Sequence, residues 1–139
     1  VAHGLSPRIL SEQGLGPALE ELTAGLPVET DVSWEGRTGS GAPSPSDEAS
    51  EDLYLIASEA ITNAMKHSGC RRIEVDAAPR DGVVQLTVRV DGAGGAAPTG
   101  RGILSMAARA RRLGGTFELV SPDGGPTTVT VRIPSGGPR

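Results

Sequence analysis

Apolar residues recur along this chain with two different spacings, which predict three helices and five strands. An apolar residue at every third or fourth position is typical of a helix that packs on a core, and one at every second position is typical of a half-buried strand. The first spacing predicts helices over 17–24, about 45–68 and 103–113. The second predicts strands over 28–34, 72–77, 83–90, 116–120 and 127–133. In the 83–90 strand, the residues expected to face one side of the sheet are Val84, Leu86, Val88 and Val90.

Cap and turn residues separate these elements. Ser44 can cap the second helix, while Pro45 and Asp47 fit its first and third positions. Gly69 provides a stop at the other end, and residues 79–82 suit a hairpin turn. The order of helix, strand, helix, two strands, helix and two strands predicts an α/β fold. We expect a two-layer sandwich in which helices cover one face of a mixed β-sheet.

The composition limits both the core and the classes of function. The 139 residues suffice for one domain with one core, and with 2% aromatic residues that core must consist of Leu, Ile, Val and Ala. A formal net charge of −4 argues against a general nucleic-acid binder, so we expect no nucleic-acid partner.

Cysteine usage and targeting signals bear on where the protein acts. The single cysteine, Cys70, excludes an internal disulfide and is compatible with a reducing compartment, so we expect a cytoplasmic location. No apolar run approaches the ~20 residues that span a bilayer, and no signal peptide is visible. Because the sequence begins at Val1 rather than at methionine, we expect a fragment of a longer protein. Whether that longer protein contains a membrane segment is left open.

The second helix carries a polar stripe formed by Glu59, Asn63, Lys66 and His67. At about 100° per residue, these side chains lie within roughly a third of a turn of one another. An asparagine inside a helix is unfavourable by propensity, but its oxygen can bind a hard cation such as Mg²⁺. Glu59 could accept a proton or hold a metal-bound water, and the two basic side chains could meet phosphate oxygens. The alternative is a solvent-exposed stripe, which most amphipathic helices have.

Two glycine-rich loops favour the phosphate interpretation. Gly92 and Gly94 follow the end of a predicted strand, and Gly100 and Gly102 precede a predicted helix. Glycine lets the backbone approach a ligand closely, and a helix N-terminus offers free N–H groups to phosphate. Either loop alone is weak evidence of a site, whereas a polar helix followed by both loops in this order is more specific.

Several segments together resemble the nucleotide-binding superfamily called GHKL. EAITNAMKHSG, at 59–69, resembles its N-box, in particular that of bacterial histidine kinases of the nitrate-sensor and lipid-fluidity-sensor type. DGAGG and GRGILSM resemble the two glycine boxes, and LGGTFELVSPDGGPTTVTVRIP resembles the closing hairpin. HGLSPRILSEQGLGPALEEL resembles the segment that joins the dimerisation helices to the catalytic domain. The resemblance therefore covers nearly the whole chain.

The resemblance implies a Bergerat-type ATP-binding fold with ATP and Mg²⁺ as ligands. It implies a connector at 1–16, a catalytic domain at 17–135 and a tail at 136–139. Asn63 would bind Mg²⁺, and Glu59 would support it or position the reacting group. The other implied nucleotide-binding residues are Lys66 and His67 at the phosphates, Gly92 and Gly94 around adenine, Gly100 and Gly102 at the lid and helix start, Thr127 near the adenine edge, and Asp91, Arg101 and Ile103 beside them.

One position departs from the family pattern. Val90 stands where the first glycine box normally has an aspartate, whose carboxylate accepts a hydrogen bond from the adenine amino group. In a regular strand Asp91 points to the other face. Leaving the adenine donor unpaired would cost roughly 1–3 kcal/mol. A bulge could bring Asp91 into place, but we favour the regular register because it keeps both Gly92 and Gly94 matched. The stretch between the boxes is also short for a lid.

Other conspicuous residues have simpler interpretations. We expect His3 to be exposed and not a phosphoacceptor, and Cys70 to be structural. Trp34 and Phe117 should belong to the core. The three arginines of the last helix, Arg109, Arg111 and Arg112, should form its solvated face, and the alternative is that they bind phosphate or a partner.

The leading hypothesis is the ATP-binding catalytic domain of a sensor histidine kinase. It would transfer the ATP γ-phosphate to a histidine on a separate dimerisation domain, with a response regulator downstream. This fragment alone should be monomeric and should not autophosphorylate. One alternative is a degenerate, non-catalytic GHKL module with a regulatory or docking role, which Val90 and the short lid favour. The other is an anti-sigma-factor-like serine kinase, against which the N-terminal connector argues.

Overall fold

The computed structural model describes residues 15–34, 47–67, 71–80, 83–91 and 101–134. Within these ranges lie three helices, α1 (Leu15–Ala24), α2 (Asp47–His67) and α3 (Arg101–Arg112). The strands are β1 (Glu29–Trp34), β2 (Arg72–Arg80), β3 (Val83–Val90), β4 (Thr116–Val120) and β5 (Thr127–Pro134). Every helix and strand that the residue spacing predicts is therefore present.

Three element boundaries differ clearly from the prediction. Helix α1 begins at Leu15, two residues earlier than predicted. Helix α3 begins two residues earlier than predicted, so that Gly102 belongs to its first turn. Strand β2 continues past Ala77 to Arg80 although it contains Pro79. Proline is tolerated there because β1 ends opposite Ala77, which leaves the last part of β2 at an edge of the sheet.

Some sequence predictions concern segments outside the described residues. These are the cap at Ser44 and Pro45, the stop at Gly69, the turn residues 81–82, and most of the connector and all of the tail. His3 and Cys70 also lie outside them. In the described ranges, no helix combines the length and the apolar character needed to cross a membrane.

The five strands form one mixed sheet in the order β1-β2-β3-β5-β4. Strands β1 and β2 are parallel, and the other neighbours are antiparallel. Parallel neighbours need a long crossover, which here contains α2. The predicted mixed sheet of an α/β two-layer sandwich is confirmed.

The core fills the space between the helices and one face of the sheet. In β3 all four residues predicted to share a face, Val84, Leu86, Val88 and Val90, are buried. The apolar arc of α2 is also buried, and consists of Leu53, Ile56, Ala57, Ala60, Ile61 and Ala64. Trp34 and Phe117 are partly buried and pack against this aliphatic core, as expected. The helices therefore present one side to the sheet and leave their other sides for additional contacts.

Two glycines fix the path of the chain at the end of α3. Gly114 has a φ of +80°, a left-handed conformation that favours glycine and commonly ends helices. Gly115 packs so closely on β5 that a Cβ atom there would overlap the carbonyl oxygen of Arg132 and lie 2.6 Å from Ile133 Cγ2. This junction holds the C-terminal end of α3 against the sheet.

An ion-pair cluster between α2 and α3 corrects one sequence prediction. Asp52 has a side chain only 4% exposed, and its carboxylate contacts Arg109 at 3.0 Å and Arg112 at 2.7 Å. The prediction of a solvated face was wrong for Arg109, which is half-buried, while Arg111 and Arg112 are exposed as predicted, although Arg112 also contacts Asp52. A buried carboxylate requires a cationic partner, and the helix packing supplies two.

Candidate functional site

The site begins on α2, where Glu59 and Asn63 lie one turn apart. Both residues are half-buried, whereas Lys66, almost one turn further on, is exposed. The spacing places Glu59 and Asn63 on one face of the helix, beside buried alanines that pack on the sheet. The His67 side chain, the last of the predicted stripe, lies outside the described residues.

Glu59 and Asn63 face Gly102, in the first turn of α3. A Cβ atom on Gly102 would lie 2.9 Å from Asn63 Nδ2 and 3.2 Å from its Oδ1, and would overlap Glu59 Oε2. A larger residue at position 102 would therefore force the side chains of Glu59 and Asn63 to move, whereas glycine lets both lie against the first turn of α3. The fold has brought together three predicted site residues from two motifs that are far apart in the sequence.

This junction combines groups that suit a phosphate and a cation. The first turn of a helix has backbone N–H groups without intrahelical partners, and these can bind phosphate oxygens. The carboxylate of Glu59 and the amide oxygen of Asn63 are ligand types that Mg²⁺ accepts. Among the described residues, no group of three or more His, Cys, Asp or Glu side chains could hold a metal ion. A cation at this junction would therefore depend on oxygens from its ligand and from water, as Mg²⁺ commonly does.

The end of β3 shows which side chains are directed toward the core. Val90 is 3% exposed and pairs one-to-one with Ile73 on β2 and with Thr127 on β5. The regular register that we favoured is confirmed, and the bulged alternative is wrong. Among the described residues, the buried face at the end of β3 therefore carries valine and no carboxylate in its place.

Asp91 has a different contact. Its Oδ1 accepts hydrogen bonds from the backbone N–H groups of Arg71 and Arg72, at 2.9 Å each. These bonds hold the pKa of the Asp91 carboxyl below its usual range. The carboxylate thus secures the start of β2, and the same oxygen is already engaged by the backbone.

Thr127 lies opposite Val90 at the start of β5. Its hydroxyl is 2.6 Å from that of Ser121, across the turn that joins β4 to β5. Ile103, also a predicted site residue, is 8% exposed and belongs to the core. Gly92, Gly94 and Gly100 lie outside the described residues, as does the side chain of Arg101.

Sequence reasoning missed Asp52. This residue lies seven positions before Glu59, so it continues the same helical stripe toward the start of α2. The stripe is the face on which α3 packs, with Asp52 against two arginines and Glu59 against Gly102. The spacing of seven residues between Asp52 and Glu59 was the signal that could have identified Asp52.

A comparison with known protein families agrees with this geometry. Residues 48–137 match the family model described as "Histidine kinase-, DNA gyrase B-, and HSP90-like ATPase". The chain belongs to this ATPase family. The matched residues include α2, α3 and the four strands from β2 to β5, so the Glu59–Asn63–Gly102 junction lies within the ATPase domain.

A sensor histidine kinase and a nitrate/nitrite sensor protein are among the similar curated proteins. The sensor histidine kinase MctS of Rhizobium johnstonii is 28% identical over 146 residues, which cover all of this chain and 32% of that protein. The nitrate/nitrite sensor protein NarX of Escherichia coli is 36% identical over 132 residues, which cover 88% of this chain and 21% of that protein. The chain thus spans a third or less of the length of these relatives.

Solved structures share the fold of this ATPase domain. A blue-light activated histidine kinase of Erythrobacter litoralis matches with a TM-score of 0.72 at 19% identity, covering 87% of this chain and 42% of that one. The ATP-binding domain of PrrB from Mycobacterium tuberculosis matches with a TM-score of 0.62 at 22% identity, covering 88% and 92%. Together with the family match, these findings show that the chain has the fold of an ATP-binding domain of this ATPase family.

Proposed function

We propose that this domain binds Mg·ATP at the junction of α2 and α3 and presents the γ-phosphate to a histidine on a separate dimerisation domain. The observation that carries the proposal is the contact of Gly102 with Glu59 and Asn63. It places a carboxylate, an amide and a helix N-terminus within a few ångströms of one another, as a metal-bound polyphosphate requires.

Each group would have a defined part in phosphoryl transfer. The histidine nitrogen would form a bond to the γ-phosphorus while the bond to the β–γ bridging oxygen breaks and ADP leaves. Asn63 would hold the cation, the first turn of α3 would hold phosphate oxygens, and the exposed Lys66 would offset their charge. Glu59 would position the histidine and take its proton. Positioning and charge neutralisation would supply most of the catalysis.

The partners and location follow from the same proposal. The phosphoacceptor domain would belong to the same kinase, reached through the connector at 1–16, and a response regulator would act downstream. The catalytic domain would occupy 17–135 and act in the cytoplasm, where ATP is available, and the parent protein could be anchored in a membrane. The chain alone would be a monomer that does not autophosphorylate.

A second candidate function is a non-catalytic module with the same fold. Val90 supports it, because the buried position that the family pattern reserves for an adenine-binding carboxylate is apolar here. Asp91 supports it as well, because this residue is exposed at the end of the strand and its Oδ1 accepts two backbone hydrogen bonds. Among the relatives, MctS is a sensor histidine kinase, which favours a histidine kinase over a serine kinase of the anti-sigma-factor type.

Calorimetric titration of the chain with Mg·ATP and Mg·ADP distinguishes these candidates. The kinase proposal expects binding in the micromolar to low-millimolar range, and Asn63→Ala should weaken the Mg²⁺-dependent part of it. Thr62→Ala, on the exposed side of the same helix, is the matched control and should bind as the unchanged chain does. No detectable binding by a folded chain would overturn the kinase proposal in favour of the non-catalytic module.

A further inference from the structure

A buried carboxylate joins α2 to α3 at a distance from the Glu59–Asn63–Gly102 junction. The oxygens of Asp52 accept hydrogen bonds from Arg109 Nη1 at 3.0 Å and from Arg112 Nη2 at 2.7 and 2.8 Å. Taking a carboxylate out of water is costly, and such a pair adds little net stability compared with apolar side chains of similar volume. The presence of this ion pair is therefore better explained by the helix geometry that it fixes than by a gain in stability.

The two contacts between the helices have matching spacings. Asp52 lies seven residues before Glu59 on α2, and Gly102 lies seven residues before Arg109 on α3. Seven residues are about two helical turns, or roughly 10 Å. Since Asp52 meets Arg109 while Glu59 meets Gly102, the helices run antiparallel and both contacts belong to one register.

In this register, α3 packs closely on α2 at Gly102. A slide of one residue along a helix moves a side chain by about 1.5 Å. A Cβ on Gly102 would already be only 2.9 Å from Asn63 Nδ2, so a small shift changes whether the first turn of α3 meets Asn63. Asp52 is the buried charged residue among those described, and its two partners both lie near the C-terminal end of α3.

We propose that Asp52 is a positioning residue for nucleotide binding. Its ion pairs with Arg109 and Arg112 set the register of α3 on α2, and this register places the first turn of α3 against Glu59 and Asn63. Asp52 acts through the helix and not by touching the ligand. The inference rests on the proposed function, because Asp52 would control the geometry of that same nucleotide site.

The test measures Mg·ATP affinity in Asp52→Asn and Arg112→Gln by calorimetry, at a temperature where circular dichroism shows each variant folded. Arg112 has a side chain 59% exposed, so its substitution tests the pair even if Asp52→Asn fails to fold. Each variant should bind about tenfold more weakly, the size of effect expected from a coupled pair. Asp52→Glu, which keeps the charge, should recover part of the affinity.

Two comparisons separate positioning from a general loss of stability. Val75→Ala removes buried methyl groups in β2 and should lower the unfolding temperature while leaving affinity unchanged. In a double-mutant cycle, Asp52→Asn should cost much less affinity when Asn63 is already alanine, because both changes act on the same contact.

The outcomes are distinct. If the unchanged chain binds Mg·ATP and both ion-pair variants bind equally well, the positioning role of Asp52 is overturned while the proposed function stands. Additive effects in the cycle would overturn it as well. If the folded, unchanged chain binds no nucleotide, the proposed function fails and takes this inference with it.

Discussion

Gly102 of α3 lies directly against the side-chain amide of Asn63 on α2, so closely that a larger residue would displace this side chain. A Cβ atom would be 2.9 Å from Asn63 Nδ2. The contact joins a glycine-rich segment to a helix whose polar stripe begins some forty residues earlier. It is the point at which the helix N-terminus meets the oxygen ligands of the proposed nucleotide site.

Gly102→Ala should weaken Mg·ATP binding. The added methyl group overlaps Glu59 Oε2 and crowds Asn63 Nδ2, so these two side chains must rotate away from the first turn of α3, and overpacking of this kind costs about 1–3 kcal/mol. If this cost arises in the nucleotide-bound state, the affinity for Mg·ATP measured by calorimetry drops roughly 5- to 150-fold.

Two other glycines provide matched controls for this substitution. Gly25 has no atoms near its Cβ position, so Gly25→Ala should change neither stability nor affinity. Gly16 would overlap Trp34, so Gly16→Ala should lower stability and leave affinity unchanged. An equal loss of affinity in the Gly16 and Gly102 variants would show that the effect is not specific to the site.

Val90→Asp should tighten nucleotide binding while destabilising the fold. A carboxylate at this position could accept a hydrogen bond from adenine, which is worth roughly 1–3 kcal/mol when the donor is otherwise unpaired. Because Val90 is 3% exposed, the new charge is costly without a ligand. Calorimetry should show a lower Kd for Mg·ATP, and thermal unfolding should show a lower midpoint that rises steeply with nucleotide.

Val88→Asp is the control for this gain. Val88 lies on the same buried face of β3, two residues away, and is 1% exposed. Its substitution should destabilise the chain without improving affinity. If the Val90 and Val88 variants behave alike, Val90 does not lie beside the base.

Asp91→Asn should reduce stability near neutral pH, and the difference from the unchanged chain should disappear in acid. The Asp91 carboxyl has a folded-state pKa below the usual 3.8, because the N–H groups of Arg71 and Arg72 stabilise its charged form. A lowered folded-state pKa gives stability that is present above the unfolded-state pKa and is lost as the pH falls through the folded-state pKa.

The unfolding midpoints of the Asp91→Asn variant and of the unchanged chain should therefore differ by a constant amount from pH 7 downward. Below roughly pH 4, and down to about pH 3, this difference should become smaller. Asp123→Asn, in the exposed turn before β5, removes one charge without such backbone contacts and serves as the control. A difference that stays constant throughout this range would exclude the proposed role of the Asp91 hydrogen bonds.

Gly115→Ala should strongly destabilise the fold. A Cβ there would overlap the backbone carbonyl of Arg132, which cannot rotate away as a flexible side chain can. The expected loss is about 3 kcal/mol or more in the free energy of unfolding by urea, at the upper end of overpacking effects. A loss no larger than that of Gly25→Ala would show that α3 can shift on β5 at little cost.

The secondary structure followed from the sequence because it depends on local periodicity. Residues two apart share a face of a strand, so the spacing in β3 identified Val84, Leu86, Val88 and Val90 as one buried row. In α2 the helical period likewise placed Glu59 and Asn63 on one face. It also separated this face from the apolar arc on the sheet.

The fold alone determined what faces the polar stripe. Asp52 meets Arg109 and Arg112 across 57 and 60 residues of sequence, and Gly102 meets Asn63 across a shorter separation. Asp91 likewise binds the backbone of Arg71, twenty residues earlier. Such contacts arise from the packing of one helix on another and of one strand beside the next. A one-dimensional period carries no information about this packing, so the sequence determined the composition of the stripe and the tertiary structure determined its partners.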